Sequence, residues 1–84
     1  MEIKVLGTGC TKCKKLFAEA EEAARGRAQP VTVVKVEDFK DIMSYGVRQT
    51  PALVIDGKVR AAGRIASAQE IAAWLDEAAR EGGK

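Results

Sequence analysis

Residues 2–13 read Glu2-Ile3-Lys4-Val5-Leu6-Gly7-Thr8-Gly9-Cys10-Thr11-Lys12-Cys13. The first half alternates, with Ile3 and Val5 on one side and Lys4 on the outward one, as a half-buried strand requires. Gly7-Thr8-Gly9 interrupts it. From Cys10 the period lengthens to that of a helix. Cys13, Leu16, Phe17, Ala20 and Ala24 fall on one face, and Lys14, Lys15, Glu21, Glu22 and Arg25 on the other. The helix ends near Arg25-Gly26. Pro30 then introduces Val31 to Val36, a strand whose β-branched density reads as buried on both faces.

Working outward, Asp38 with Asp41 caps a short helix that closes at Gly46. Ala52 to Ile55 is an apolar strand. Asp56-Gly57 is a hairpin turn, because the primed turns need the positive φ that Asx and Gly tolerate. Lys58 to Ala62 returns antiparallel and stops at Gly63. Ser67 and Glu70 form a capping box. The helix they open runs from Ala68 to Ala79, with Ile71, Trp74, Leu75 and Ala78 on one face, and residues 81–84 are expected to fray. The order βαβαββα is an α/β sandwich with a mixed sheet in a single domain, residues 1–84.

Composition removes several classes of function. A chain of 84 residues holds one domain. Hydrophobic residues at 46% and charged residues at 31% are an ordinary globular balance. Fourteen Lys+Arg against twelve Asp+Glu leave a net charge of +2, too little to argue for nucleic acid or an anionic membrane surface. No apolar run approaches the roughly 20 residues of a membrane span. The start of the chain is too short and too alternating for a signal peptide, so the expected location is cytoplasmic. There is no histidine, which excludes Ser/His or Cys/His hydrolysis and His-ligated zinc.

The chemistry therefore rests on Cys10 and Cys13, the two cysteines of the chain. A cytosol keeps structural disulfides rare, so the pair reads as chemical rather than architectural. Cys10 opens a helix, where free N–H groups and the helix dipole favour a thiolate. With Lys12, Lys14 and Lys15 nearby, its pKa is expected to fall from about 8.5 toward about 7 or below. One turn of helix brings the Cys13 sulfur behind that of Cys10, on the apolar stripe. Cys10 is then the attacking thiol and Cys13 the resolving one. Three other readings stay open: two thiolate ligands for a soft metal such as copper or zinc, an inert local disulfide, and a redox-inactive binding module. Copper-carrier domains also place CxxC after their first strand, but they run βαββαβ and end on a strand.

Beyond CxxC, Tyr45-Gly46-Val47-Arg48-Gln49-Thr50-Pro51 precedes an apolar strand, the Asp56-Gly57 turn and a returning strand. Gly63 and a capped amphipathic helix follow. With these motifs in this order the chain resembles the thioredoxin superfamily, and within it the small thioredoxin-like or glutaredoxin-like redox proteins. The resemblance covers nearly the whole chain. It implies a thioredoxin-like fold with a four-stranded mixed sheet and three flanking helices. It also implies thiol–disulfide oxidoreductase activity on protein or small-molecule disulfides, with electrons from a thioredoxin-reductase-like protein or glutathione. No cofactor or metal is expected beyond the Cys10–Cys13 disulfide, and no partner chain, the protein acting as a monomer. By itself Thr50-Pro51 reads equally as a cis turn or as a trans start to an edge strand; the resemblance implies cis, with Thr50 and Pro51 beside the sulfurs as the substrate-binding pair.

The departures are specific. Thr11-Lys12 is neither the Gly-Pro of typical thioredoxins nor the Pro-Tyr of typical glutaredoxins. Gly9 replaces the aromatic residue expected before the first cysteine, and with Lys12 is assigned to tuning the Cys10 pKa. The buried acid of the preceding strand has no counterpart, its place falling at Lys4. Among the remaining residues, Trp74, Phe17 and Phe39 are read as core. Tyr45 either lines the active-site side or anchors its loop. Arg48 and Arg64 either flank a cleft, attracting an acidic partner, or lie on a solvated surface.

Overall fold

The computed structural model describes residues 1–82 and orders them as β1 (Glu2–Leu6), α1 (Thr11–Ala24), β2 (Thr32–Val36), α2 (Phe39–Ser44), β3 (Ala52–Ile55), β4 (Lys58–Ala62) and α3 (Ala68–Gly82). The strands form one sheet in the order β2-β1-β3-β4. β1 runs parallel to β2, with Leu6 opposite Val36, and antiparallel to β3, with Leu6 opposite Ala52. This is the expected α/β architecture with a four-stranded mixed sheet and three helices.

Period-two alternation sends the side chains of the central strands to two separate clusters. Ile3, Val5, Leu53 and Ile55 pack with Leu16 and Ala20 of α1 and with Ile71 and Leu75 of α3. Leu6, Ala52 and Val54 pack on the other face with Ile42 of α2 and with Val47. All four residues of β3 are buried, which explains a strand with no polar position. Burying each such Leu or Ile contributes about 1.5–3 kcal/mol relative to leaving it in water.

Local signals set the element boundaries. Asp38 caps α2 by accepting from the Lys40 and Asp41 amides at 2.8 and 3.2 Å. Asp56 and Gly57 adopt φ of 46° and 86°, the pair of positive values that a primed hairpin turn demands. The capping box closes in both directions: the Glu70 amide donates to Ser67 Oγ at 3.1 Å, and the Ser67 amide to Glu70 Oε1 at 3.2 Å.

The structure corrects five expectations. Phe39 is not core: it is 68% exposed, and Met43, one turn on, is 51% exposed. Helix α2 is six residues long and turns Ile42 to the sheet, which leaves the stripe of Phe39 and Met43 facing solvent. Strand β2 begins at Thr32 rather than Val31 and is half-exposed, because it lies at the edge with β1 as its single neighbour. On α1 the buried position is Ala23 rather than Ala24. Lys4 does not point into open solvent, since α2 covers that face; its Nζ donates to the Tyr45 hydroxyl at 2.8 Å. Helix α3 continues to Gly82, past the expected end at Ala79; residues 83 and 84, part of the tail expected to fray, lie outside the described residues. Phe17 and Trp74 are partly buried and pack against the larger cluster, in keeping with their core reading.

Candidate active site

Cys10 is the N-cap of α1, with extended backbone at φ −70° and ψ 166°. Its Sγ accepts from the Cys13 amide at 3.2 Å and its carbonyl from the Lys14 amide at 3.0 Å. The first turn of α1 contains no acidic residue, so the helix itself sets no carboxylate against its positive end beside Cys10. Cys10 and Cys13 are joined in a disulfide with their Cα atoms 5.1 Å apart. Their exposures differ sharply: Cys10 is on the surface, whereas Cys13 is 5% exposed.

Gly7 explains where the Cys13 sulfur goes. A Cβ on Gly7 would overlap Cys13 Sγ, lie 3.1 Å from Cys13 Cβ and come within 4.0 Å of Pro51 Cα. The bare Cα of Gly7 is thus the contact at which the end of β1, the first turn of α1 and Pro51 meet. The Gly7 amide donates to the Val36 carbonyl at 3.0 Å, extending the β1–β2 ladder to this point. Gly7 follows the end of β1 at Leu6, as the break read from sequence requires, and is a packing position as well. The signal that it sits there is topological, since the C-terminal ends of neighbouring parallel strands share one edge of the sheet.

The second predicted motif arrives at the same edge. The Thr50–Pro51 peptide is cis, and Pro51 is buried. The Pro51 carbonyl accepts from the Gly63 amide at 2.9 Å. Gly63 has φ of 78°, and a Cβ on it would run into the Gln49 side chain, so this loop and the end of β4 interlock. Thr50 is exposed. With Thr8, Phe39, Ile42, Met43, Val47 and Arg48 it lines an open groove of about 320 Å³. A smaller cavity of about 80 Å³ lies on the α1 side, lined by Val5, Gly7, Gly9, Cys13, Lys14, Lys35 and Glu37.

Cys10, Cys13, Gly9, Thr50 and Pro51 therefore gather at one end of the sheet. Lys12 is exposed on the first turn of α1. The other candidates separate. Arg48 borders the groove. Arg64 instead donates to both Glu70 oxygens, at 3.1 and 3.0 Å, and lies 5.9 Å from the centroid of the Trp74 ring. That bidentate bond, with the Ser67 amide, holds the Glu70 carboxyl below its ordinary pKa. Tyr45 anchors its loop to β1: its hydrogen bond with Lys4 raises the lysine pKa above the ordinary value. Lys35 and Glu37 sequence reasoning missed, because only the pairing of β2 with β1 brings them beside the motif. Among the described residues no group of three or more His, Cys, Asp or Glu side chains is placed to hold a metal ion. No described helix is long and apolar enough to cross a membrane.

A family model described as a thioredoxin domain matches residues 1–76. The chain belongs to the thioredoxin family. Among its relatives is a thioredoxin of Methanothermobacter thermautotrophicus, 34% identical over 71 residues that cover 84% of this chain and 92% of that protein. A thioredoxin of Methanocaldococcus jannaschii is 32% identical over 69 residues, covering 82% of this chain and 79% of that one. Membership of the thioredoxin family, together with the Cys10–Cys13 disulfide at the start of a helix, supports thiol–disulfide oxidoreductase chemistry in general.

Proposed function

We propose that this chain is a dithiol–disulfide electron carrier in which Cys10 attacks and Cys13 resolves. The contrast in exposure between the two sulfurs carries the reading, because an incoming disulfide reaches the surface thiol and not the buried one. In the reduced protein the Cys10 thiolate attacks one sulfur of a substrate disulfide and the other sulfur leaves as a thiolate. Cys13 loses its proton and attacks Cys10 Sγ. The second substrate thiolate departs, and the substrate has gained the two electrons the dithiol gave up. The helix N-terminus favours the Cys10 thiolate, Lys12 adds positive charge on the same turn, and Gly9 leaves the approach to the sulfur unobstructed. Thr50, at the rim of the groove with Pro51 behind it, offers its backbone to an extended peptide.

The substrates in this reading are disulfide-bearing proteins, and the donor is a reductase of the thioredoxin-reductase kind or glutathione. The redox centre is the disulfide itself, with no further cofactor, and a single chain working in the cytoplasm suffices. The test is to equilibrate the protein in a series of thiol/disulfide buffers, alkylate the free thiols and weigh the products. A reversible two-electron transition that disappears in Cys10→Ser and Cys13→Ser is the expected result. Cysteines that stay reduced throughout, or a native mass carrying a metal that blocks alkylation, would refute it.

A further inference from the structure

We infer that Glu37 handles the proton of Cys13 through water in the small cavity behind the disulfide. The inference rests on the dithiol reading above and adds a residue to it. Cys13 is the sulfur that has to exchange a proton with its surroundings while remaining buried. Its thiol must be deprotonated before it can displace the substrate, and it must be reprotonated when the disulfide is reduced. An ordinary cysteine, with a pKa of about 8.5, is mostly protonated at neutral pH. Burial favours the neutral form further.

The groups that surround the cavity come from three elements. β1 and the turn after it contribute Val5, Gly7 and Gly9, none of which titrates. Lys4, the ionisable side chain of that strand nearest the motif, lies on the opposite face and is engaged with Tyr45. α1 contributes Cys13 itself and Lys14. β2 and the residue after it contribute Lys35 and Glu37. Among the described residues that line this space, Glu37 is therefore the carboxylate, and it stands with two cations. Lys35 is held in place by the Phe17 ring, its Nζ lying 4.8 Å from the centroid.

The bare Cα of Gly7 makes room for this arrangement. Without a Cβ, Gly7 admits the Cys13 sulfur on one wall. Glu37 reaches the same turn, its Oε2 lying 3.5 Å from where a Cβ on Gly9 would stand, an ordinary contact distance. Gly9 also has φ of 85°, where a side chain is strained in any case. A space of about 80 Å³ is several times the roughly 10–15 Å³ that one water needs in this measure. Lys14, Lys35 and Glu37 set polar groups in its otherwise apolar lining, so water has partners there.

Cys13 S–H passes its proton through water to the Glu37 carboxylate while Cys13 sulfur bonds to Cys10 sulfur. The bond from Cys10 to the substrate breaks and the substrate sulfur leaves with the electron pair. Lys14 and Lys35 stabilise the negative charge that develops on Cys13. Glu37 then returns its proton to solvent. When a donor dithiol reduces the protein, the same path runs backwards and delivers a proton to the departing Cys13 thiolate.

Single-turnover mixing of the reduced protein with an aromatic disulfide, whose thiolate absorbs visible light, separates the two sulfurs. The first equivalent of thiolate reports attack by Cys10, and the second reports resolution by Cys13. General-base assistance is commonly worth about 10²–10⁴-fold, and bulk water replaces part of it, so Glu37→Gln is expected to slow the second phase about tenfold at pH 7. The first phase should be unchanged, and Glu37→Asp should recover part of the second. Burial holds the Cys13 thiol above the ordinary value of about 8.5, so the variant and the natural protein should converge only as pH rises past that raised value, where Cys13 ionises unaided. A second phase within about twofold of the natural protein at pH 7 overturns the assignment. Slowing that persists undiminished at high pH also overturns it, since that marks a structural effect. If the natural protein releases no second equivalent at all, the dithiol reading falls as well.

Discussion

Gly7→Ala is the most direct perturbation of the contact that joins the motifs. The new methyl group would overlap Cys13 Sγ and lie 3.1 Å from Cys13 Cβ and 4.0 Å from Pro51 Cα. Of these neighbours only Cys13 Sγ ends a side chain in the reduced protein, and that side chain has a single rotatable bond. Cys13 is fixed in the first turn of α1, and Pro51 is buried and tied through its carbonyl to Gly63. Overpacking of this kind typically costs about 1–3 kcal/mol. In a domain of this size each kcal/mol lowers Tm by roughly 4–8 °C. Denaturant unfolding of the reduced protein should show a lower midpoint at constant slope.

A double-mutant cycle isolates the sulfur as the cause. In a Cys13→Ala background the Sγ is gone and only the milder contact with Cβ remains, so Gly7→Ala should cost at least about 1 kcal/mol less there than in the natural sequence. All four proteins are measured under reducing conditions, so that loss of the disulfide does not enter the comparison. A coupling energy indistinguishable from zero, or a Gly7→Ala protein as stable as its parent, would refute the claim that Gly7 is bare because of Cys13.

Two further outcomes follow from burial and charge. Leu16→Ala should cost about 2–5 kcal/mol, because Leu16 is fully buried between α1 and the sheet, whereas Phe39→Ser should change stability by less than about 0.5 kcal/mol. Equal losses in urea unfolding would contradict the placement of Phe39. The Glu70 carboxyl is held below its ordinary value of 4.5 by Arg64 and the Ser67 amide, so its stabilising effect is present above that value and disappears as pH falls through the lowered pKa. Natural protein and Glu70→Gln should therefore differ in stability at neutral pH and converge in acid, and a constant difference across that range would count against the Arg64–Glu70 bond.

Much of the fold was legible because its signals are local. Alternation in residues 2–6, the Asp56-Gly57 turn and the Ser67–Glu70 box each specify structure within a few residues, and the structure contains all three. What escaped depends on neighbours that a single segment does not encode. The β-branched run of β2 fits an edge strand as well as a buried one, and only the sheet order decides between them. Phe39 has the composition of a core residue, but a six-residue helix with Ile42 turned inward leaves it outside. Lys4 alternates as an outward residue should, yet α2 covers that face and Tyr45 meets it there. At the site, the CxxC and Thr50-Pro51 motifs were readable as sequence. Gly7, Lys35 and Glu37 were not, because their relation to Cys13 exists only once β1 and β2 lie side by side.

That difference bears on how the chemistry is distributed. Thiol–disulfide exchange needs one sulfur open to a partner and another shielded from it, and one helical turn supplies both when its first residue is the N-cap. The exposed sulfur then draws on backbone groups, namely the free end of α1, which nearly any sequence at Thr11 and Lys12 leaves in place. The shielded sulfur draws instead on whichever side chains the adjoining strands bring to it. Position 4 in this chain is a lysine committed to the opposite face of the sheet, so β1 supplies no carboxylate behind Cys13. The edge strand runs parallel to β1 and ends beside Gly7, and the carboxylate there is Glu37. The residue that borders Cys13 can come from either strand without a change in the fold, because β1 and β2 both line the same cavity.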